Sequence, residues 1–274
     1  MPARLDAIAA APEKAAAGVG TSAVDMPAAP LDAGPLFRQA GAEGTLLVYD
    51  VRRDKLLAYN PARARAAYPP ASTFKIFNSL IGLETGAVKD VDSDKLPWDG
   101  HVYTIGGKAI LPEVCNGDVP LRTAFPNSCV PAYQALARRV GPAPYRHYLA
   151  AAGYGNQDLS GPVDAFWLTG KLRITAYQQI DFLRQVAART LPFSPRTYAE
   201  ALDIMVTERT PAYTLRAKTG WAGAAQPEVG WWVGWVERGG DTYVFAMNLD
   251  LTRPELGRAR MEITRAVLGQ LGVL

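Results

Sequence analysis

Ser72 and Lys75 stand three residues apart, where an apolar run, Ile76-Phe77-Asn78-Ser79-Leu80-Ile81-Gly82-Leu83, reads as a helix. Residues at i and i+3 share one helical face, so the hydroxyl and the amine can come within hydrogen-bond reach. That is what an activated serine nucleophile needs. The turn signal Pro69-Pro70 lies just before them. A helix N-terminus there adds backbone N–H donors and partial positive charge beside Ser72, suited to a developing oxyanion. The same two residues also suit a helix cap followed by a surface lysine, and about one S-x-x-K arises by chance in a chain of this length.

Two further motifs carry polar chemistry. Lys218-Thr219-Gly220 closes an alternating stretch that reads as a strand. The glycine permits close backbone approach of a ligand, and the lysine and threonine can bind a carboxylate. Read alone, it is a strand-to-loop junction. Ser128-Cys129-Val130 precedes a helix opened by Pro131, and alone it reads as a helix cap.

Composition removes other chemistries. The two histidines, His101 and His147, lie far apart, and the chain has no C-x-x-C and no H-E-x-x-H, so a zinc hydrolase is not expected. No G-x-S-x-G elbow accompanies either histidine, and both read as structural. A net charge of +3 with short, scattered basic clusters argues against nucleic-acid binding. No run of about 18 apolar residues is present, so no membrane span is expected. No charged-then-apolar secretion signal opens the chain, which leaves a cytosolic protein or one whose signal is missing. Cys115 and Cys129 are the only cysteines; they form one disulfide in an oxidising compartment or remain two buried thiols.

The elements that must position these residues fall in a clear order. Residues 1–34, rich in Ala, Pro and Gly, read as a flexible tail with a weak helix over Leu5–Ala11. A helix starts near Leu36. Thr45–Asp50 and Lys55–Asn60 form a hairpin. Helices are expected over Phe74–Leu83, Leu121–Ala124, Pro131–Val140, Tyr145–Ala152, Thr175–Ala188 and Tyr198–Met205, with irregular chain near 90–118. Strands return at Tyr213–Lys218, Gly230–Val236 and Thr242–Asp250, and Leu256–Leu268 closes the chain as a helix. The strands at the two ends must therefore meet in one antiparallel sheet. This predicts an α/β (α+β) fold: a sheet lobe from 35–70 and 208–274, with an all-helical lobe, 71–207, inserted. A site in the cleft between them is expected.

Taken together, the motifs resemble those of the class D (OXA-type) serine β-lactamases, within the penicillin-recognising serine enzymes. The resemblance runs from about Phe37 to Val273. It rests on Ser72-Thr73-Phe74-Lys75, Ser128-Cys129-Val130, Tyr154-Gly155-Asn156, Asp164-Ala165-Phe166-Trp167-Leu168, Lys218-Thr219-Gly220 and Gly230-Trp231-Trp232-Val233-Gly234-Trp235. The segment 101–118, which in that family helps wall the active site, is atypical here.

The resemblance implies a β-lactamase/transpeptidase-like fold and a set of roles. Ser72 is the acylated nucleophile, and Lys75 is carboxylated by carbon dioxide on its side-chain nitrogen to serve as general base. Trp167 donates to that group, Ser128 relays a proton to the β-lactam nitrogen, and Lys218 assists it. Thr219 and Arg260 hold the substrate carboxylate, with Arg258 as rival to Arg260, while Val130, Leu168 and Gly220 line the pocket. The oxyanion hole comprises the backbone N–H groups of Ser72 and Trp221. Tyr154-Gly155-Asn156 shapes the cleft floor. It implies no metal, no cofactor other than carbon dioxide, a small-molecule β-lactam substrate, a monomer or homodimer, and a periplasmic location that favours the disulfide. Two other functions share these motifs: an antibiotic sensor that stays acylated, and a D,D-transpeptidase or carboxypeptidase acting on cell-wall peptides.

Overall fold

The computed structural model describes residues 22–105 and 108–274. In chain order the elements are β1 (Ala28–Pro30), α1 (Gly34–Ala40), β2 (Gly44–Asp50), β3 (Lys55–Tyr59), α2 (Pro61–Ala64), α3 (Lys75–Glu84), β4 (Thr104–Ile105) and β5 (Lys108–Ala109). There follow α4 (Leu121–Ala124), α5 (Val130–Val140), α6 (Pro142–Ala152), α7 (Ala176–Ala188) and α8 (Pro195–Ile204). The chain ends with β6 (Val206–Arg209), β7 (Tyr213–Ala222), β8 (Val229–Arg238), β9 (Asp241–Asp250) and α9 (Leu256–Gln270).

Seven strands form one sheet in the order β1-β3-β2-β9-β8-β7-β6. The two ends of the chain meet where β2 pairs antiparallel with β9, Leu47 opposite Ala246. β8 explains why the sheet has helices on both faces. Trp231, Val233 and Trp235 point into one core, and Trp232 and Val236 into the other, as strand alternation requires. α1 and α9 cover the second face, and α7 packs on β2 and β9 across the first. Gly234 is required where it stands: a Cβ there would come within 2.1 Å of the Arg216 carbonyl on β7.

The expected mixed fold, with a sheet from both chain ends and helices between, is the observed one. Three details differ. The flexible tail expected over residues 1–34 is not a tail from residue 22 onward. Ser22 Oγ donates to Asp181 at 2.6 Å, the Ala23 amide donates to the same carboxylate at 2.7 Å, and β1 pairs parallel with β3. Small residues that look featureless in sequence fit close against α7 there. The Leu5–Ala11 helix lies outside the described residues. Five strands were expected; β1 and β6 are short edge strands, one ending in Pro30, too brief for an alternating signal. The inserted segment is not wholly helical, since β4 and β5 form a small hairpin.

Candidate active site

The turn that carries Ser72 is tighter than expected. Ala71–Phe74 is a 3-10 turn, and α3 begins only at Lys75. Ala71 is held at φ +47°, a left-handed conformation that costs a non-glycine residue of order 1–3 kcal/mol and persists only when its surroundings over-determine it. They do. The Ala71 amide donates to the Trp167 carbonyl at 3.0 Å. Thr73 Oγ1 donates to the Pro70 carbonyl at 2.7 Å and accepts from Gln179 Nε2 at 2.9 Å, both side chains buried. Trp231 Nε1 donates to the Pro69 carbonyl at 3.0 Å, tying the turn to β8. The Phe74 ring stacks on Trp167 and meets Phe77, Tyr154 and Phe166 edge-on or nearly so.

This frame presents Ser72 half-buried, with its Oγ 2.7 Å from Lys75 Nζ. Lys75 has no exposed surface, and its nitrogen lies 5.2 Å from the centre of the Tyr133 ring on α5. Burial, reinforced by the charge of Lys218, holds its pKa well below that of an ordinary lysine. Burial thus favours the neutral form of the amine. Trp167 is buried at 1 % exposure, and its indole Nε1–H has no hydrogen-bond partner. A buried donor left unpaired is uncommon and calls for an acceptor. A carboxylate on the Lys75 nitrogen fits these residues: an amine whose uncharged form burial favours, and a donor-only indole to hold it.

β7 carries K-T-G along the same turn. A Cβ on Gly220 would lie 3.0 Å from Thr73 Cγ2 and 3.1 Å from the Pro70 carbonyl, so a side chain there would push the strand and the turn apart by a few tenths of an ångström. Lys218 is 3 % exposed, and burial together with the charge of Arg260 lowers its pKa to about 7. Its Nζ lies 5.7 Å from the centre of the Phe125 ring. Thr219 is half-buried, and Trp221 is 46 % exposed with its indole donating to Glu228 at 2.6 Å. Arg260 on α9 donates to the Gly220 carbonyl at 2.6 Å and keeps its Nε buried and unpaired. Arg258, its sequence rival, points away and pairs with Glu262 at the surface. The structure therefore sets Arg260, not Arg258, beside K-T-G.

The turn bearing Ser128 reaches this group through Phe125, whose carbonyl accepts the Ser128 amide at 3.1 Å. Ser128 itself stands at φ +56°. Cys129 follows as the N-cap of α5 and is bonded to Cys115, so the two cysteines form the disulfide left open by the sequence. Val130, first residue of α5, and Leu168, after Trp167, are both half-buried, Leu168 against the aromatic core. Tyr154-Gly155-Asn156 supports the frame: Tyr154 packs on Phe74 and Phe77, and Asn156 bonds the Lys171 carbonyl and the Arg173 amide.

Sequence reasoning missed Tyr133 beneath Lys75, Gln179 behind Thr73, and Glu228 on Trp221. None stands in a chemical motif. Only Gln179 leaves a trace, as an amide on what is otherwise the buried face of α7. His101 and His147 are exposed and meet the rings of Tyr103 and Tyr148 edge-on. Among the described residues, no group of three or more His, Cys, Asp or Glu could hold a metal ion, and no helix is long and apolar enough to cross a membrane.

Comparison with known proteins gives consistent matches. Residues 44–269 match the penicillin binding protein transpeptidase domain. The chain is 40 % identical to β-lactamase OXA-48 of Klebsiella pneumoniae over 234 residues, 85 % of either chain. It is 38 % identical to β-lactamase OXA-5 of Pseudomonas aeruginosa over 241 residues, 87 % of either chain. Among solved structures, the class D β-lactamase YbXI from Nostoc superposes with a TM-score of 0.83 at 42 % identity, covering 89 % of this chain and 100 % of that one. FUS-1 (OXA-85), a class D β-lactamase from Fusobacterium nucleatum subsp. polymorphum, gives 0.81 at 37 % identity, covering 88 % and 98 %.

Proposed function

The chain belongs to the class D serine β-lactamases, and on that premise we propose that it hydrolyses the amide of penicillins and related β-lactams through an acyl-enzyme on Ser72, with Lys75 carboxylated by carbon dioxide. The observation that carries the reading is Lys75 Nζ, fully buried and 2.7 Å from Ser72 Oγ, in the same buried frame as the unpaired indole of Trp167.

Only an unprotonated amine attacks carbon dioxide, losing a proton as it does so, and burial favours that form of Lys75. The group so formed supplies an oxygen base for the Ser72 proton and, later, for a deacylating water. Trp167 holds it by donating Nε1–H. Ser72 Oγ attacks the lactam carbonyl, and the oxyanion is met by the backbone N–H groups of Ser72 and Trp221. One such donor is worth about 3–4 kcal/mol in the transition state. As the ring C–N bond breaks, Ser128 gives its proton to the departing nitrogen and is reprotonated under the influence of Lys218. Thr219 and the unpaired Nε of Arg260 hold the substrate carboxylate, with Gly220, Val130 and Leu168 shaping its surroundings. Water then cleaves the Ser72 ester and releases the ring-opened acid. Activity in the bacterial periplasm, where a disulfide forms, would confer antibiotic resistance.

Steady-state hydrolysis of a penicillin with and without added bicarbonate tests this. Activity rises with bicarbonate after incubation in mildly acidic buffer, and Lys75→Ala still binds penicillin but does not turn it over. An absent bicarbonate response, or turnover by Lys75→Ala near the parent rate, refutes the base assignment. Trapping of one equivalent of penicillin by the parent chain would instead indicate a sensor.

A further inference from the structure

We propose that the Cys115–Cys129 disulfide is a positioning element of the active site, fastening Ser128 in the conformation from which it delivers its proton. The inference rests on the reading of Ser128 as proton relay. Ser128 sits at φ +56°, a conformation serine rarely adopts, which persists only when neighbouring structure enforces it. Three hydrogen bonds shape its turn: Ser128 amide to the Phe125 carbonyl at 3.1 Å, Cys129 amide to Ala124 at 3.0 Å, and Asn127 Nδ2 to Thr123 at 2.9 Å. All three begin and end within residues 123–129. They define the shape of the turn but do not fix it against the rest of the molecule.

The disulfide does. Cys129 is the residue immediately after Ser128, fully buried, and its Cα lies 5.1 Å from that of Cys115. Cys115 belongs to a 3-10 turn, Glu113–Cys115, in a segment with anchors of its own. Leu96 and Val119, which exchange backbone bonds at 2.9 and 3.1 Å, are buried in the main core, and the Tyr103 hydroxyl donates to Gln134 on α5 at 2.9 Å. The bridge thus joins an independently held segment covalently to the residue beside Ser128. Relaxing φ to an ordinary negative value swings Oγ, and displacement of a reacting group by about 1 Å costs up to about 100-fold in rate.

Ser128 acts while the ring opens, so losing the bridge slows acylation and leaves deacylation unchanged. A purely structural bridge changes stability and the fraction of active molecules, but neither rate constant per active molecule. The test measures both constants by stopped flow with a chromogenic cephalosporin, on the parent, Cys115→Ala/Cys129→Ala, Ser128→Ala and the triple variant. Active molecules are counted by penicillin labelling. We expect acylation to fall about 10- to 100-fold in the disulfide-free protein, and the triple variant to acylate no more slowly than Ser128→Ala alone. If the double-alanine chain does not accumulate, parent protein refolded under reductant, with two thiols confirmed by titration, takes its place. Parent-like acylation without the bridge, or an added loss in the triple variant, overturns the positioning role. Parent-like acylation by Ser128→Ala overturns the relay reading itself.

Discussion

The floor of the cleft and its flank are built on different terms. The floor, Pro69–Lys75 with Trp167 and β7, is buried, and several elements distant in sequence hold it: Gln179 on α7, Trp231 on β8 and the Trp167 carbonyl. The flank, residues 96–118, exposes Val102, Ile110 and Val114, each above 40 %. Much of it is held by local polar bonds, such as Trp98 to the His101 carbonyl at 3.1 Å, and by the disulfide. Buried, over-determined residues can store strain and shift pKa values; exposed apolar ones can do neither. Under the proposed function the floor arranges bond-breaking and the flank meets the substrate's outer groups, and each half predicts different consequences of mutation.

The floor should give the largest losses. Lys75→Met keeps the volume and removes the amine, so turnover falls by at least about 10³-fold, the span of a lost general base. Penicillin labelling of Ser72, read by mass spectrometry, checks that the pocket survives. Trp167→Phe keeps the stack on Phe74 but removes the indole donor. We expect turnover about 10- to 100-fold lower without bicarbonate and substantial recovery with it. A bicarbonate-insensitive loss would make Trp167 a core aromatic only. Lys218 links the floor to pH. Its folded pKa of about 7 lies below the unfolded value near 10.4. Below pH 10.4 the unfolded chain takes the proton first, so stability falls as pH drops from about 10 to 7 by up to about 1.4 kcal/mol per unit, and levels off below. The difference in unfolding free energy between parent and Lys218→Met should show that slope between pH 7 and 9; equal pH profiles would place the group at an ordinary pKa.

Gln179→Leu strikes the floor from behind. It leaves Thr73 its bond to Pro70 but removes the amide that braces the turn from α7. The expected cost is about 1–2 kcal/mol by denaturant unfolding, with a several-fold fall in kcat and little change in KM. This residue also marks how far the sequence could be read. Ser72, Lys75, Lys218 and Arg260 were legible because their chemistry sits in short motifs, and the central strands because β8 is apolar for a full strand length. Gln179, Tyr133 and the left-handed Ala71 and Ser128 were not, because their meaning comes from contacts 50 or more residues away or from a dihedral angle that the residue type does not suggest. The edge strands β1 and β6 escaped for the plainer reason that three or four residues carry no period.

The flank should give the smallest effects, and of a different kind. Ile110 is 51 % exposed, so Ile110→Ser removes little buried area, and its effect on stability stays within about 0.5 kcal/mol. It lies outside the buried core that frames Ser72 and Lys75, and kcat for a small penicillin should stay within about twofold. What Ile110 can supply is apolar surface for a bulky substrate side chain, and a contact of one or two methylenes is worth roughly 1–2 kcal/mol. The ratio of KM values for a bulky and a small penicillin should therefore rise several-fold in Ile110→Ser while the kcat ratio holds. Equal changes in both constants would mean that the flank, like the floor, positions the reacting atoms, and the separation between the two halves would dissolve.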